Sequence, residues 1–137
     1  MKMKTKVCEI CGKEFEPVAY GGARKYCFDC VPPTNDFAQR TSWKRQAAKR
    51  EGVKRLGGCC KKCGESRYHI LEFHHIDPAA KNATPSRFLA NSQLELFFNE
   101  IELCVLLCSN CHQDFHWQEA QNHELTLENY LNDNNIE

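Results

Sequence analysis

The chain has 137 residues, a length that fits about one domain, and its apolar residues are spread thinly between glycines, cysteines and charged side chains. The formal net charge is +0, and no apolar run approaches the length of a membrane-spanning helix, which excludes a membrane protein. Ten cysteines without an apolar leader segment argue against a secreted disulfide framework. We therefore expect a cytoplasmic protein in a reducing environment, with cysteines that bind metal.

The net charge hides an asymmetry between the two parts of the chain. Residues 1–58 hold 13 Lys and Arg against 6 Asp and Glu, a formal charge of +7, whereas residues 59–137 hold 5 against 12, a formal charge of −7. The amino-terminal part is therefore expected to dock a polyanion.

Two Cys-x-x-Cys pairs lie within the first 30 residues, Cys8 with Cys11 and Cys27 with Cys30, and fifteen residues separate the pairs. This spacing is typical of a zinc ribbon, in which each pair sits on a turn and the residues between them form a hairpin. We predict a structural zinc on these four cysteines, in a module spanning residues 1–33. Whether the module also touches nucleic acid is open, because it carries few basic residues.

Two prolines end this module, and residues 34–58 are predicted to form a basic linker with a helix over residues 37–56. Thr34, Asn35 and Asp36 are candidate caps for its start, and two glycines end it. The helix has basic residues on all sides and no obvious core face, so we expect it to bridge two zinc modules or to lie along phosphates. The basic residues expected to contact nucleic acid are Arg40, Lys44, Arg45, Lys49, Arg50, Lys54 and Arg55.

A second set of cysteine pairs, Cys60 with Cys63 and Cys108 with Cys111, predicts a second structural zinc. Between the pairs, residues 68–74 are strand-prone, residues 76–85 have the composition of a loop, and residues 103–107 are predicted to form a short buried strand. The strand over residues 103–107 is expected to lead into the second of these cysteine pairs.

The other segments of this part give weaker signals. A helix capped by Thr84 or Ser86 is expected to reach residue 101, and the acidic tail, residues 118–137, predicts one marginal helix over residues 125–131. Cys59 does not fit the paired spacing and is interpreted as a bystander, and Cys104 as a small buried residue. The core residues expected on the helix that reaches residue 101 are Phe88, Leu89, Leu96, Phe97 and Ile101.

Four histidines flank the second set of cysteines. His74 and His75 are adjacent, His112 directly follows Cys111, and His116 lies one helical turn further on, so a helix starting there would point both imidazoles the same way. Core packing and a third zinc site without catalysis are both open. A catalytic metal centre is favoured, because neutral imidazoles leave coordination positions for water and phosphate oxygens.

These residues resemble the HNH endonucleases, which have the ββα-metal or His-Me finger fold. The likeness covers about residues 43–116 and includes Glu-Phe-His-His-Ile-Asp-Pro around His74 and Leu-Cys-x-x-Cys-His-x-x-x-His around His112. It implies a nuclease domain over residues 59–117 that acts on DNA. It also implies a catalytic divalent metal (magnesium, manganese, nickel or zinc) on His74 and His112, with His116 completing the set, and His75 as the general base.

The requirements of phosphodiester hydrolysis agree with these roles, because the reaction needs a base and a group that absorbs charge on the phosphate. Lys81 and Arg87 are candidates for a further phosphate contact. The likeness departs at its middle residue: no asparagine directly precedes the second strand, where Glu102 and Leu103 lie. How the base is oriented is therefore open.

We therefore expect a small α+β zinc-stabilised protein with a zinc ribbon, a basic linker helix and a ββα-metal (HNH) nuclease domain. Its expected function is hydrolysis of DNA phosphodiester bonds, with two structural zinc ions and one catalytic divalent metal. The alternative is a non-enzymatic DNA-binding protein with two zinc fingers, which would not need His75.

Overall fold

The computed structural model describes residues 5–17, 24–80 and 82–132, so the expected hairpin tip around residues 20–22 and Lys81 lie outside the described residues. The elements in chain order are β1 (Lys6–Val7), β2 (Glu14–Phe15), α1 (Phe37–Arg55), β3 (Leu71–His75), α2 (Pro85–Ala90), α3 (Leu94–Ile101), β4 (Cys104–Cys108), α4 (Ser109–Gln121) and α5 (Leu127–Asn132). β1 pairs with β2 and β3 pairs with β4, both antiparallel. The described part of the chain is thus a small mixed α+β protein, as predicted.

The first cysteine pair of each set sits on the same kind of turn. In the first turn the Cys8 amide donates to the Lys13 carbonyl at 2.9 Å, and in the second the Cys60 amide donates to the Glu65 carbonyl at 2.8 Å. Each turn closes on a glycine with positive φ, 76° at Gly12 and 84° at Gly64, a conformation that other residues rarely adopt. The same type of turn therefore occurs twice in the chain, and each time it brings the two sulfurs of a Cys-x-x-Cys pair together.

Helix α1 begins as expected, because the side chain of Asp36 accepts a hydrogen bond from the Gln39 amide at 3.2 Å. The expectation that it lacks a core face is wrong. Ala47 and Ala48 are buried with the first cysteine module, and Val53 is buried with the second. The buried stripe consists of small residues, which is why the surrounding basic side chains concealed it. The helix does bridge the two modules, as the sequence suggested.

Gly52 lies at the point where α1 approaches the rest of the core most closely. A Cβ atom there would meet Phe97 Cζ at 3.0 Å, Ile101 Cδ1 at 3.1 Å and Phe73 Cζ at 3.2 Å. The missing side chain thus lets α1 pack directly against α3 and β3.

β3, β4 and α4 form one continuous unit, in which β3 pairs with β4 and α4 begins directly after β4. Leu71 pairs with Cys108 and His75 with Cys104, so the full lengths of both strands are matched. β4 runs without a loop into α4, and the residues before β3, Tyr68–Ile70, form a 3-10 turn where the sequence predicted strand. Successive side chains of β3 point to opposite faces of the strand pair. One face is turned toward α4, and the other face is turned toward α1 and α3.

The single helix expected to end at residue 101 is two helices. Thr84 caps α2 as expected, accepting from the Arg87 amide at 3.3 Å, but the chain turns at Ser92, whose φ is 56°. The turn resets the helical phase, so Phe98 is 9% exposed and Leu96 is 45% exposed. The assignment of Leu96 to the core is therefore wrong, whereas the burial of Phe97 and Ile101 is confirmed.

The helix predicted in the acidic tail is present as α5, and the tail is docked on the rest of the structure as far as residue 132. Tyr130 of α5 is 2% exposed, and its hydroxyl donates to the Asp114 carboxylate at 2.9 Å and lies 3.1 Å from the Cys111 carbonyl. Lys62 donates to the Tyr130 carbonyl at 2.6 Å. The last described helix thus packs on the second cysteine module.

Among the described residues, no helix has the length and apolar character that crossing a bilayer requires.

Candidate metal centres

The predicted cysteine sets form two compact clusters. The sulfurs of Cys8, Cys11, Cys27 and Cys30 all lie within 4.8 Å of one another, as do those of Cys60, Cys63, Cys108 and Cys111. Across the pairs, the sulfurs of Cys11 and Cys27 are 3.7 Å apart and those of Cys63 and Cys108 are 3.6 Å apart. Four sulfurs at the ~2.3 Å bond length of tetrahedral zinc would stand about 3.8 Å apart. Both clusters therefore have the composition and spacing of a four-cysteine zinc site.

The pKa values of the thiols within each cluster shift in opposite directions. Burial raises the pKa of Cys30 and of Cys111, and hydrogen bonds with neighbouring thiols raise it further. Burial also acts against ionisation of Cys8 and Cys60, but backbone hydrogen bonds outweigh it and lower the pKa of each to about 7. Four thiolates in this space need a cation, and a zinc ion supplies that charge.

The two remaining cysteines lie outside the clusters. Cys104 is 3% exposed and its thiol donates to the Glu100 carbonyl at 3.6 Å, which confirms it as a small buried residue. Cys59 is half-buried beside the second cluster.

Substitution of two neighbouring cysteines, one inside the second cluster and one outside it, tests this cluster. Cys60→Ser should remove one tightly held zinc per chain and lower the urea midpoint of unfolding, because a structural site contributes its binding free energy to folding. Cys59→Ser is the matched control and should keep the zinc content and midpoint of the wild type. Elemental analysis after dialysis against a weak chelator measures the zinc, and equal zinc content in both variants would contradict the assignment.

Three of the four predicted histidines form a third cluster. His74 on β3 faces His112 and His116 on α4, and the three ligand nitrogens lie within 4.8 Å of one another. His74 Nδ1 is 3.1 Å from His112 Nε2, which is 2.9 Å from His116 Nε2. The three rings come together because α4 begins directly after β4 and so lies against β3. His112 and His116 are one helical turn apart on α4, and both face the strand. Three converging imidazoles can hold a divalent metal ion.

Two carboxylates orient the outer sides of these rings. His112 Nδ1 lies 2.6 Å from a Glu72 oxygen, and His116 Nδ1 lies 3.3 Å from a Glu119 oxygen. A proton on each Nδ1 satisfies the carboxylate and leaves the Nε2 lone pair turned to the centre, an arrangement usual around protein metal sites. The sequence interpretation missed both residues. For Glu72 the signal was its position two residues before His74, on the same face of the strand.

The environment of His74 keeps its ring neutral. Burial, followed by the nearby rings of His112 and His116, lowers the pKa of His74 to about 4. At neutral pH the imidazole therefore has a free lone pair, as metal ligation requires.

His75 points to the other face of β3, away from this cluster. It is 8% exposed, and its Nε2 lies 2.8 Å from Glu100 Oε1 on α3. Asn82 donates to the same carboxylate from its backbone amide at 3.0 Å and from its side chain at 3.1 Å. Burial raises the pKa of Glu100, but the hydrogen bonds from Asn82 and His75 outweigh it and lower the value to about 2. The partner of His75 is thus a buried carboxylate.

His75 and the three-histidine cluster line the same cleft, which has a volume of about 530 Å³. Lys49 of α1 and His69 form part of its wall. The cleft therefore brings together a candidate metal site, a histidine held by a carboxylate, and a lysine.

The basic residues of α1 are used in different ways. Of those described, only Lys49 lines the cleft, whereas Arg50 and Lys54 line a groove beside the first cysteine cluster. Arg45 donates to the Ala90 carbonyl at 2.6 Å, and Arg55 to the Ile10 carbonyl at 3.4 Å, so these two arginines tie α1 to its neighbours. Arg87 is exposed and does not line the cleft.

Comparisons with protein-family models, with curated proteins and with solved structures find no match to this chain. Its function must therefore be argued from the chemistry of the site.

The outer carboxylates provide a test of the third cluster that leaves its ligands unchanged. Glu72→Leu should weaken binding of nickel to the zinc-loaded protein by about 10–100-fold, because the His112 ring loses the acceptor that orients it. Glu95→Leu, an exposed change on α3, is the control and should bind nickel like the wild type. Calorimetric titration measures the affinity, and equal affinities for all three proteins would argue against a metal site there.

Proposed function

We propose that this protein is a metal-dependent endonuclease of the HNH, ββα-metal type that hydrolyses DNA phosphodiester bonds. One observation carries the proposal. Adjacent histidines on β3 face opposite ways, His74 into a cluster of three imidazoles and His75 onto a buried carboxylate, yet both line one cleft. Core packing does not require this division between neighbouring residues.

The order of elements supports the same proposal. The antiparallel pair β3 and β4 leads directly into α4, as the resemblance implies. The cysteine cluster at the junction of β4 and α4 gives the histidines a rigid mount, and sites on rigid elements hold their geometry well.

The division of roles follows from hydrolysis at phosphorus. Water must lose a proton as it attacks, and His75, which lies outside the cluster and is held by Glu100, is suited to accept that proton. A divalent ion held by His74, His112 and His116 would supply Lewis acidity toward the phosphate oxygens and the leaving 3′ oxygen. Lys49, in the cleft wall, is suited to contact a phosphate next to the reacting one.

Approach of the substrate would depend on the positive amino-terminal part of the chain. Four basic residues of α1 are suited to phosphate contacts: Lys49 lines the cleft, Arg50 and Lys54 line the groove beside the first cysteine cluster, and Lys44 lies over the Tyr26 ring. Lys49 donates to the His69 carbonyl at 3.5 Å, a contact that a phosphate would replace.

Substitution of His75 tests the proposed reaction. His75→Ala should slow cleavage of supercoiled plasmid by about 10²–10⁴-fold while nickel binding stays within twofold, because only the proton acceptor is removed. His112→Ala should lose metal binding and activity together, and His123→Ala, an exposed histidine outside the cleft, should change neither. Cleavage is measured with magnesium, manganese, nickel or zinc against a chelator. If the wild type cleaves with none of them, the non-enzymatic zinc-finger protein becomes the better assignment.

Substitution on α1 tests DNA docking separately from cleavage. In the His75→Ala background, replacing Lys44, Lys49, Arg50 and Lys54 by Gln should weaken binding to a short duplex. The slope of log affinity against log salt should fall by about 0.9 for each phosphate that the variant no longer neutralises. Lys61→Gln, in the second cysteine module, is the control. A slope unchanged by the four substitutions, measured by fluorescence anisotropy, would leave α1 as a structural bridge only.

A further inference from the structure

Glu100 is an unexpected residue in its surroundings. It lies on α3 between Phe97, Phe98 and Ile101, all of which are buried, and is itself 3% exposed. An apolar side chain would fill this position without removing a charged group from water, so packing alone gives no reason for a carboxylate.

The carboxylate has a full set of partners, and they determine the proton position on His75. The Asn82 backbone amide can only donate, and it meets the same oxygen, Oε1, that lies 2.8 Å from His75 Nε2. An ionised carboxylate can only accept. His75 Nε2 must therefore carry a hydrogen, and in the neutral ring this leaves the lone pair on Nδ1.

We infer that Glu100 is a positioning residue that holds His75 in the Nε2–H tautomer, so that Nδ1 is the atom that takes the proton from water. This rests on the proposed nuclease function. It also supplies an orienting group that the sequence did not reveal, because no asparagine stands where the resemblance places one.

Asn82 completes the arrangement by fixing the carboxylate. Its side-chain amide donates to Oε2 at 3.1 Å while its backbone amide donates to Oε1, so the plane of the carboxylate is set from both oxygens. The imidazole plane is then held through Nε2, the nitrogen that does not react. A buried acid orients a catalytic histidine in the same way in known enzymes, there with the roles of the two ring nitrogens exchanged.

Two substitutions separate positioning from a structural role. In Glu100→Gln, the amide oxygen can still accept from His75 and from the Asn82 backbone. The amide nitrogen takes the place of Oε2 and can donate to the Asn82 side chain once that side chain turns its oxygen inward, so the tautomer and kcat should stay close to those of the wild type. In Glu100→Leu, no acceptor remains, so kcat should fall by about 10–100-fold with KM within twofold. Glu95→Leu is the matched exposed control on α3. Zinc content and urea unfolding check that each variant is folded.

The tautomer is read directly from nitrogen-15 spectra of the zinc-loaded protein, with His75→Ala used to assign the ring. Wild type and Glu100→Gln should carry the hydrogen on Nε2, and Glu100→Leu should lose this preference. A wild-type ring protonated on Nδ1, or a Glu100→Leu variant with unchanged tautomer and kcat, would overturn the inference. A wild type that cleaves no DNA yet has the Nε2–H ring overturns the nuclease function and the catalytic use of Nδ1, but leaves the carboxylate contact standing. A wild type that cleaves DNA with the His75 ring protonated on Nδ1 overturns the inference about Glu100 but leaves the nuclease function standing.

Discussion

The sulfur of Cys108 is the point on which the rest of the structure depends. Cys108 is the last residue of β4, it belongs to the second cysteine cluster, and its sulfur caps α4 by accepting from the Cys111 amide at 3.4 Å. The start of α4 is thereby fixed to one residue. Each residue turns an α-helix by about 100°, so a shift of one position would swing His112 out of the three-histidine cluster.

α1 explains how a chain with few apolar residues holds two modules together. One buried core surrounds the first cysteine cluster and another the second, and Leu56 and Phe73 pack against both. Small residues on α1 let it enter each core without a bulky apolar stripe. Phe73 directly precedes the paired histidines, so the same packing that joins the modules also steadies the strand that carries them.

The features that short stretches of sequence determine could be predicted, and those that depend on distant segments could not. Cysteine spacing gives both clusters, and one helical turn gives the alignment of His112 with His116. Glu100 reaches His75 across 25 residues of chain, and its place depends on the turn at Ser92, which no local pattern marks. The resemblance also directed attention to an asparagine, whereas the residue that contacts His75 is a carboxylate from another element, Glu100 of α3.

The two clusters differ in how much chain separates their ligands, and this sets an order of assembly. Cys11 and Cys27 are 16 residues apart, whereas Cys63 and Cys108 are 45 residues apart. At a synthesis rate of about 5–20 residues per second, Cys108 follows Cys63 from the ribosome roughly 2–9 s later. The first cluster is complete throughout that interval, while Cys60 and Cys63 wait without partners. The four ligands of the first cluster are thus available to a metal ion before those of the second, and during that interval the thiols of Cys60 and Cys63 are open to oxidation or to capture by a competing metal.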